Sequence, residues 1–224
     1  MRPLAIAALV IGAAAVGAAA YVAFEQRARP PVAVSAPPVP QPAGSGPTGS
    51  QAAVLAERVP DFQLADRDGT MRSLADWQGK SLIVNFWATW CAPCRREIPL
   101  LGELQQQYGP AGFQVIGIAA DYRDKVIAYA DEAGIAYPLL IGEQEALDAA
   151  AAFGIETVGF PFTVFSDNQG RVITCHVGEL TRPQAEVILG AIKQVNSGAI
   201  SPDQARSEIT AGIDRLKGQH GAEG

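Results

Sequence analysis

The sequence is poor in cysteine and histidine: three cysteines and two histidines stand among 224 residues. So few thiols, and an odd number of them, exclude a small scaffold stapled by several disulfides. Basic charge is also scarce, 17 Lys and Arg against 23 Asp and Glu, for a net charge of −6. That balance argues against a general nucleic-acid binder, which presents a basic face to phosphate. No internal repeat is visible. Charge is missing altogether from two stretches, Leu4 to Phe24 and Pro30 to Ser50.

The two gaps mean different things. Leu4–Phe24 is apolar throughout apart from Gly12 and Gly17. A helix rising about 1.5 Å per residue crosses a hydrocarbon core of roughly 30 Å in that length. Two readings stay open: a retained membrane anchor, favoured by the length, or a cleaved signal peptide with an A-x-A site at Ala18–Ala20. Both send the chain to the export machinery. Arg2 lies before the segment and Arg27 and Arg29, offset by Glu25, lie after it. The positive-inside rule is then nearly silent, and the basic start favours an external C-terminal body. Pro30–Ser50 holds seven prolines and three glycines. Such a stretch cannot bury a core and predicts a disordered tether reaching at most about 65 Å. With three Arg and one Glu in residues 1–50, the rest of the chain carries a net −8. A body that acidic does not lie flat on anionic lipid.

From residue 51 to about 195, strand-like and helix-like stretches alternate. Phe62–Leu64 is a short strand candidate, closed by the turn Asp66–Gly69. Ser81–Trp87 is nearly continuous in apolar residues, as a central buried strand is. Cys94–Tyr108 reads as a helix with Ile98, Leu101 and Leu104 on one face, ended by Gly109-Pro110. Gln114–Ala120 is a strand, Asp124–Ala133 a helix, Tyr137–Ile141 a strand and Glu145–Phe153 a helix. Phe162–Phe165 and Arg171–Val177 form a hairpin across Asp167–Gly170. A last helix, Arg182–Val195, has Thr181 as its cap and Pro183 in its first turn. The pattern predicts an α/β fold with a mixed central sheet flanked by helices. Residues 196–224 look like a C-terminal extension, with a short helix from Ser201-Pro202 carrying Ile209, Ile213 and Leu216 on one side.

The chemistry concentrates at Trp90-Cys91-Ala92-Pro93-Cys94, where the buried strand passes into a helix. A C-x-x-C pair places two sulfurs within disulfide reach. Unpaired backbone N–H groups and the helix dipole stabilise a thiolate there. The first cysteine, Cys91, is thereby the attacking nucleophile, and Cys94 resolves the mixed disulfide. Zinc needs two further ligands, and Cys175, His176 and His220 have no fitting spacing. A purely structural disulfide would close only a very short loop.

These residues resemble a known family. Trp90–Cys94 after Val84–Thr89, followed by Arg95-Arg96-Glu97-Ile98-Pro99 and later by Gly159-Phe160-Pro161, is similar to the membrane-tethered TlpA/ResA-like group of thioredoxin-fold thiol-disulfide oxidoreductases. The resemblance covers roughly residues 58–195 and implies a thioredoxin-like redox domain over 51–195. The organisation expected is then an anchor or signal segment (1–29), a linker (30–50), the redox domain, and a partly helical extension (196–224).

The resemblance also implies roles. Pro161 matches the family's cis-proline beside the disulfide, and Phe160 before it offers main-chain groups to an extended substrate. Asn85 stands where thioredoxin has a buried aspartate, and asparagine is no base. The group places a glutamate three residues after the second cysteine, here Glu97, which is expected to carry the proton of Cys94. Trp90, Ala92, Pro93 and Phe160 are the expected substrate contacts, while Trp87 is equally suited to the core. Pro99 is structural. Arg95 and Arg96 read as solvated helix residues, Cys175 as an inert thiol alternating with Ile173 and Val177 on an apolar face, and His176 as lacking a partner.

The function implied is reduction of disulfides in exported proteins, apocytochrome c among them, with electrons from a membrane thiol reductant. No cofactor beyond the Cys91–Cys94 disulfide is implied, nor any nucleic-acid partner, and the protein is expected to be a monomer in the periplasm, held to the inner membrane by Leu4–Phe24. Two alternatives remain: an extracytoplasmic thiol oxidant or isomerase, and a Cu(I)-binding assembly factor. The last would want a C-x-x-x-C pair. A peroxidase is disfavoured because no separate threonine–cysteine pattern appears.

Overall fold

The computed structural model describes residues 55–156 and 159–220. The expected anchor at Leu4–Phe24 and the linker at 30–50 lie outside these residues. Among the described residues, no helix is long and apolar enough to cross a membrane.

The run Ser81–Trp87 forms β3, and all seven of its residues are buried. It is a central strand because both of its faces are covered, which is why its apolar pattern is continuous rather than alternating. β4 (Phe113–Ala120) lies parallel to it on one side, with Asn85 paired to Gly117. β6 (Phe162–Ser166) lies antiparallel on the other, with Asn85 paired to Thr163. β5 (Leu139–Gly142) continues the parallel set beside β4. β1 (Gln63–Asp66) and β2 (Met71–Ser73) extend that edge antiparallel, and β7 (Val172–Val177) closes the opposite edge against β6. The sheet order is β2-β1-β5-β4-β3-β6-β7. The strand β2 has no counterpart in the sequence reading, since three residues are too few to show a period.

Helices cover both faces. One layer combines α1 (Ala92–Tyr108), α2 (Arg123–Glu132), α4 (Arg182–Asn196) and α5 (Pro202–His220), whose apolar sides meet Ile83, Trp87, Val115 and Leu139. The other holds α3 (Gln144–Ala152), packed with Val84, Phe86, Ile118 and Val164. Ile98, Leu101 and Leu104 are buried, as their spacing requires. Gly117 leaves room for side chains from the flanking strands: a Cβ there would stand 2.6 Å from Leu139 Cδ2 on β5 and 3.1 Å from Trp87 Nε1 on β3.

Three local expectations are corrected. The helix after Ser201 is not short: it runs from Pro202 to His220, with Ala205 and Ile209 buried in the main core. Arg206 also reaches Val172 O and Ile173 O, so α5 covers part of the β7 edge. Second, Ile173, Cys175 and Val177 do not share one apolar face. The β6–β7 register shifts between Phe165 and Ser166, so Ile173 joins one core layer, half-buried Cys175 packs against the other, and Val177 is 57% exposed. An extra residue in a strand breaks the period of two on which the alternation rested. Third, His176 has a neighbour: its Nε2 lies 3.4 Å from Glu179 O.

Candidate active site at Cys91 and Cys94

The end of β3 passes directly into α1, and Cys91 and Cys94 are joined there as a disulfide with Cα atoms 5.3 Å apart. Cys91 is the residue that caps α1. Its Sγ accepts a hydrogen bond from Cys94 N at 3.3 Å. A free N–H of the first helical turn therefore points at the sulfur, which is the arrangement that favours negative charge on it. Both cysteines are buried, Cys91 at 5% exposure and Cys94 at 0%.

The loop before Cys91 is fixed from β4. The buried Asp121, just past the end of that strand, accepts from Thr89 N at 3.2 Å through Oδ2, and from the Thr89 hydroxyl as well. Its Oδ1 accepts from Tyr122 N at 2.8 Å. No feature of the Cys motif announces Asp121. The one available signal was a lone acid just past the end of an apolar strand.

Phe160–Pro161 is a cis peptide bond. The Phe160 ring lies 6.0 Å from that of Trp90, and Trp90 is 69% exposed. Ala92 is exposed and Pro93 half-buried. Trp90, Ala92, Pro93 and Phe160 thus present apolar surface, and of the two tryptophans flanking the motif only Trp90 does so. Trp87 is wholly buried, in ring contact with Tyr129.

Glu97 lies one turn beyond Cys94 on the buried side of α1, and is 1% exposed. Its Oε1 accepts from Asn85 Nδ2 at 2.7 Å, and its Oε2 from Leu180 N at 2.8 Å. Asn85 Nδ2 also donates to Thr163 Oγ1 at 3.0 Å. Burial away from water lifts the carboxyl from 4.5 to about 7, although the two hydrogen bonds favour its charged form and so work against the rise. A carboxyl poised near neutrality can both accept and return a proton. The sequence brought Glu97 and Asn85 forward separately; the structure joins them and adds Thr163 and Leu180. Arg95 packs over the Tyr129 ring, and Arg96 pairs with Glu179.

Cys175 is half-buried, and burial pushes its thiol up to about 11. Among the described residues no group of three or more His, Cys, Asp and Glu side chains is placed to hold a metal.

The profile of the AhpC/TSA family matches residues 55–175, more than half of the chain. The thiol-disulfide oxidoreductase ResA of Geobacillus thermodenitrificans is 31% identical over 147 residues, which cover 65% of this chain and 82% of that protein. The thioredoxin-like protein YneN of Bacillus subtilis is 34% identical over 133 residues, 58% of this chain and 75% of that protein. Among solved structures, a secreted thiol-disulfide isomerase from Corynebacterium glutamicum superposes with a TM-score of 0.55 at 26% identity, covering 67% of this chain and 96% of the other. The names of ResA and of the isomerase carry thiol-disulfide chemistry, and Cys91 and Cys94 form a disulfide in this chain. The chain belongs to the AhpC/TSA family and, with its ResA-like relatives, is a thiol-disulfide oxidoreductase.

Proposed function

We propose that the protein is a reductase of disulfides in exported proteins, tethered through Leu4–Phe24 to the outer face of a bacterial inner membrane. The observation that carries the reductive direction is the carboxyl of Glu97, buried one turn beyond Cys94. Negative charge there opposes a thiolate on Cys94, so the dithiol form is not stabilised as it is in strong oxidants. A dithiol without that stabilisation keeps a lower potential and is the better electron donor.

The cycle starts from the reduced protein. The Cys91 thiolate, favoured by the helix N-terminus and the more exposed of the pair, attacks one sulfur of a substrate disulfide. The substrate disulfide breaks, a mixed disulfide forms, and the first substrate thiolate leaves. Cys94 then loses its proton to Glu97 and attacks Cys91 Sγ. The Cys91–Cys94 disulfide forms, the second substrate thiol departs with the proton, and two electrons have passed to the substrate. Glu97 fits the proton step because its affinity is near neutral. Trp90, Ala92, Pro93 and Phe160 form the apolar surface against which an extended peptide lies, beside the main chain at Pro161. Apocytochrome c, with its paired cysteines, is a substrate of fitting chemistry, and a membrane thiol reductant would recharge the disulfide.

Equilibration of the Cys91–Cys94 pair with a redox buffer tests this reading. A potential near about −270 mV supports a reductase, and one near about −120 mV overturns it in favour of an oxidant. The relative described as a secreted isomerase makes an intermediate value the outcome that would redirect the reading to disulfide shuffling.

A further inference from the structure

The segment after β7 links three parts of the site. Gly178 takes φ +94°, a left-handed backbone that other residues adopt only with strain. The chain then turns so that Glu179 and Leu180 cross the start of α1. Gly178 N donates to Pro161 O at 2.9 Å, tying this strap to the cis-proline loop. Leu180 N donates to Glu97 Oε2 at 2.8 Å, and Leu180 is 2% exposed. Between them, Arg96 grips Glu179: Nε donates to Oε2 at 2.9 Å and to Oε1 at 3.2 Å, and Nη2 donates to Oε2 at 2.5 Å. His176 Nε2 stands 3.4 Å from Glu179 O.

The Arg96–Glu179 pair itself is partly open to water, its side chains 61% and 35% exposed. A pair so exposed adds little to global stability. Its position gives it a local consequence, because the strap it holds is what closes over an almost fully buried carboxyl. We propose that Glu179 is a positioning residue of the thiol-disulfide site: its ion pair with Arg96 clasps the Gly178–Leu180 strap over Glu97 and keeps water from that carboxyl. The proposal rests on reading Glu97 as the proton carrier of Cys94.

The clasp then sets the pH at which Glu97 works. Asn85 faces Glu97 from β3, Cys94 lies one turn before it on α1, Tyr137 feels its charge from the segment before β5, and Glu179 adds a like charge from the strap. Arg96 and His176 both face Glu179. Opening the strap hydrates Glu97 and costs it the Leu180 N–H; burial is the larger influence, so its proton affinity falls. Charge alone predicts the reverse for one substitution. Loss of the Arg96 guanidinium leaves Glu179 uncompensated and so raises the affinity of Glu97 if the strap does not move.

The sign of the Arg96→Gln effect therefore decides. In the oxidised full-length protein, NMR titration of the Glu97 carboxyl and hydrogen exchange at Leu180 N are measured together. Arg96→Gln and Glu179→Gln are each expected to move the Glu97 midpoint toward acid by about one pH unit. The Leu180 amide is expected to exchange about tenfold faster in both. Arg95→Gln, one residue away but packed on Tyr129, should leave both unchanged. A midpoint that rises or stays put in Arg96→Gln, with Leu180 still protected, overturns the clasp. If the variants show the expected shifts and Glu97→Gln exchanges disulfides at the wild-type rate, the clasp stands and the proton-carrier reading of Glu97 falls.

Discussion

Glu97→Gln in the oxidised protein exposes the cost of the buried carboxyl. Glu97 is 1% exposed, and its affinity is raised from 4.5 to about 7, mainly by burial. Below pH 4.5 the group is protonated in folded and unfolded chains alike and costs nothing. Between 4.5 and about 7 the folded protein still holds the proton that the unfolded chain has released. Stability therefore falls as pH rises through that window, by up to about 1.4 kcal/mol per pH unit. Above about 7 the full cost is present, on the order of 3 kcal/mol for a shift of this size. Glutamine removes the pH dependence and brings a fixed penalty. Asn85 Nδ2 and Leu180 N both donate to the carboxylate, whereas an amide offers one acceptor oxygen and turns its NH2 toward the other donor. That mismatch costs about 1–3 kcal/mol at every pH. The variant is expected to be less stable than wild type near pH 4.5 and to draw level or pass it near pH 8, a relative change of about 3 kcal/mol. Urea unfolding with the disulfide intact, repeated from about pH 4 to about pH 8.5, reads this directly. A stability difference that stays constant within about 0.5 kcal/mol over that range refutes the reasoning.

The same substitution is expected to slow disulfide exchange by about 10²-fold or more in the resolving step, while alkylation of Cys91 in the reduced protein keeps its rate; stopped-flow measurement of mixed-disulfide decay checks it, and unaltered decay removes Glu97 from the chemistry. Asp121→Ala frees Thr89 and the loop that carries Trp90 and Cys91; about 1–3 kcal/mol of stability should be lost, together with exchange activity, as calorimetry and an insulin-reduction assay would show. Gly117→Ala puts a Cβ 2.6 Å from Leu139 Cδ2 and 3.1 Å from the Trp87 indole nitrogen; a loss of about 1–3 kcal/mol in urea unfolding is expected, and an unchanged midpoint would mean that the Leu139 and Trp87 side chains yield there. Cys175→Ser should leave exchange rates unchanged, since a thiol pushed up to about 11 is only about one-thousandth thiolate near pH 8; any drop in turnover would give Cys175 a redox role.

The sequence by itself determined the covalent chemistry and the ladder of elements. Cys91 and Cys94 announce themselves through spacing and through their place between an apolar run and an amphipathic helix. Those are local patterns, and local patterns survive without a structure. Ser81–Trp87 was legible as β3 for the same reason: a strand buried on both faces must be apolar at nearly every position. Failures came where a contact partner decides the outcome. The β6–β7 bulge turned Cys175 away from Ile173, and no period of two can foresee an inserted residue. The helix from Pro202 to His220 joins the core through Ala205 and Ile209, which took α4 and the β7 edge to reveal. Only the tertiary structure brought Glu97, Asn85, Thr163 and Leu180 into one buried cluster, from positions 12 to 83 residues apart in their hydrogen-bonded pairs. Glutamate in a helix is ordinary by propensity. Burial is what changes its proton affinity, and burial depends on what folds over a residue from elsewhere in the chain. The low count of thiols thus pointed to a single working pair, while the environment that tunes that pair was written in β3, β6 and the turn after β7.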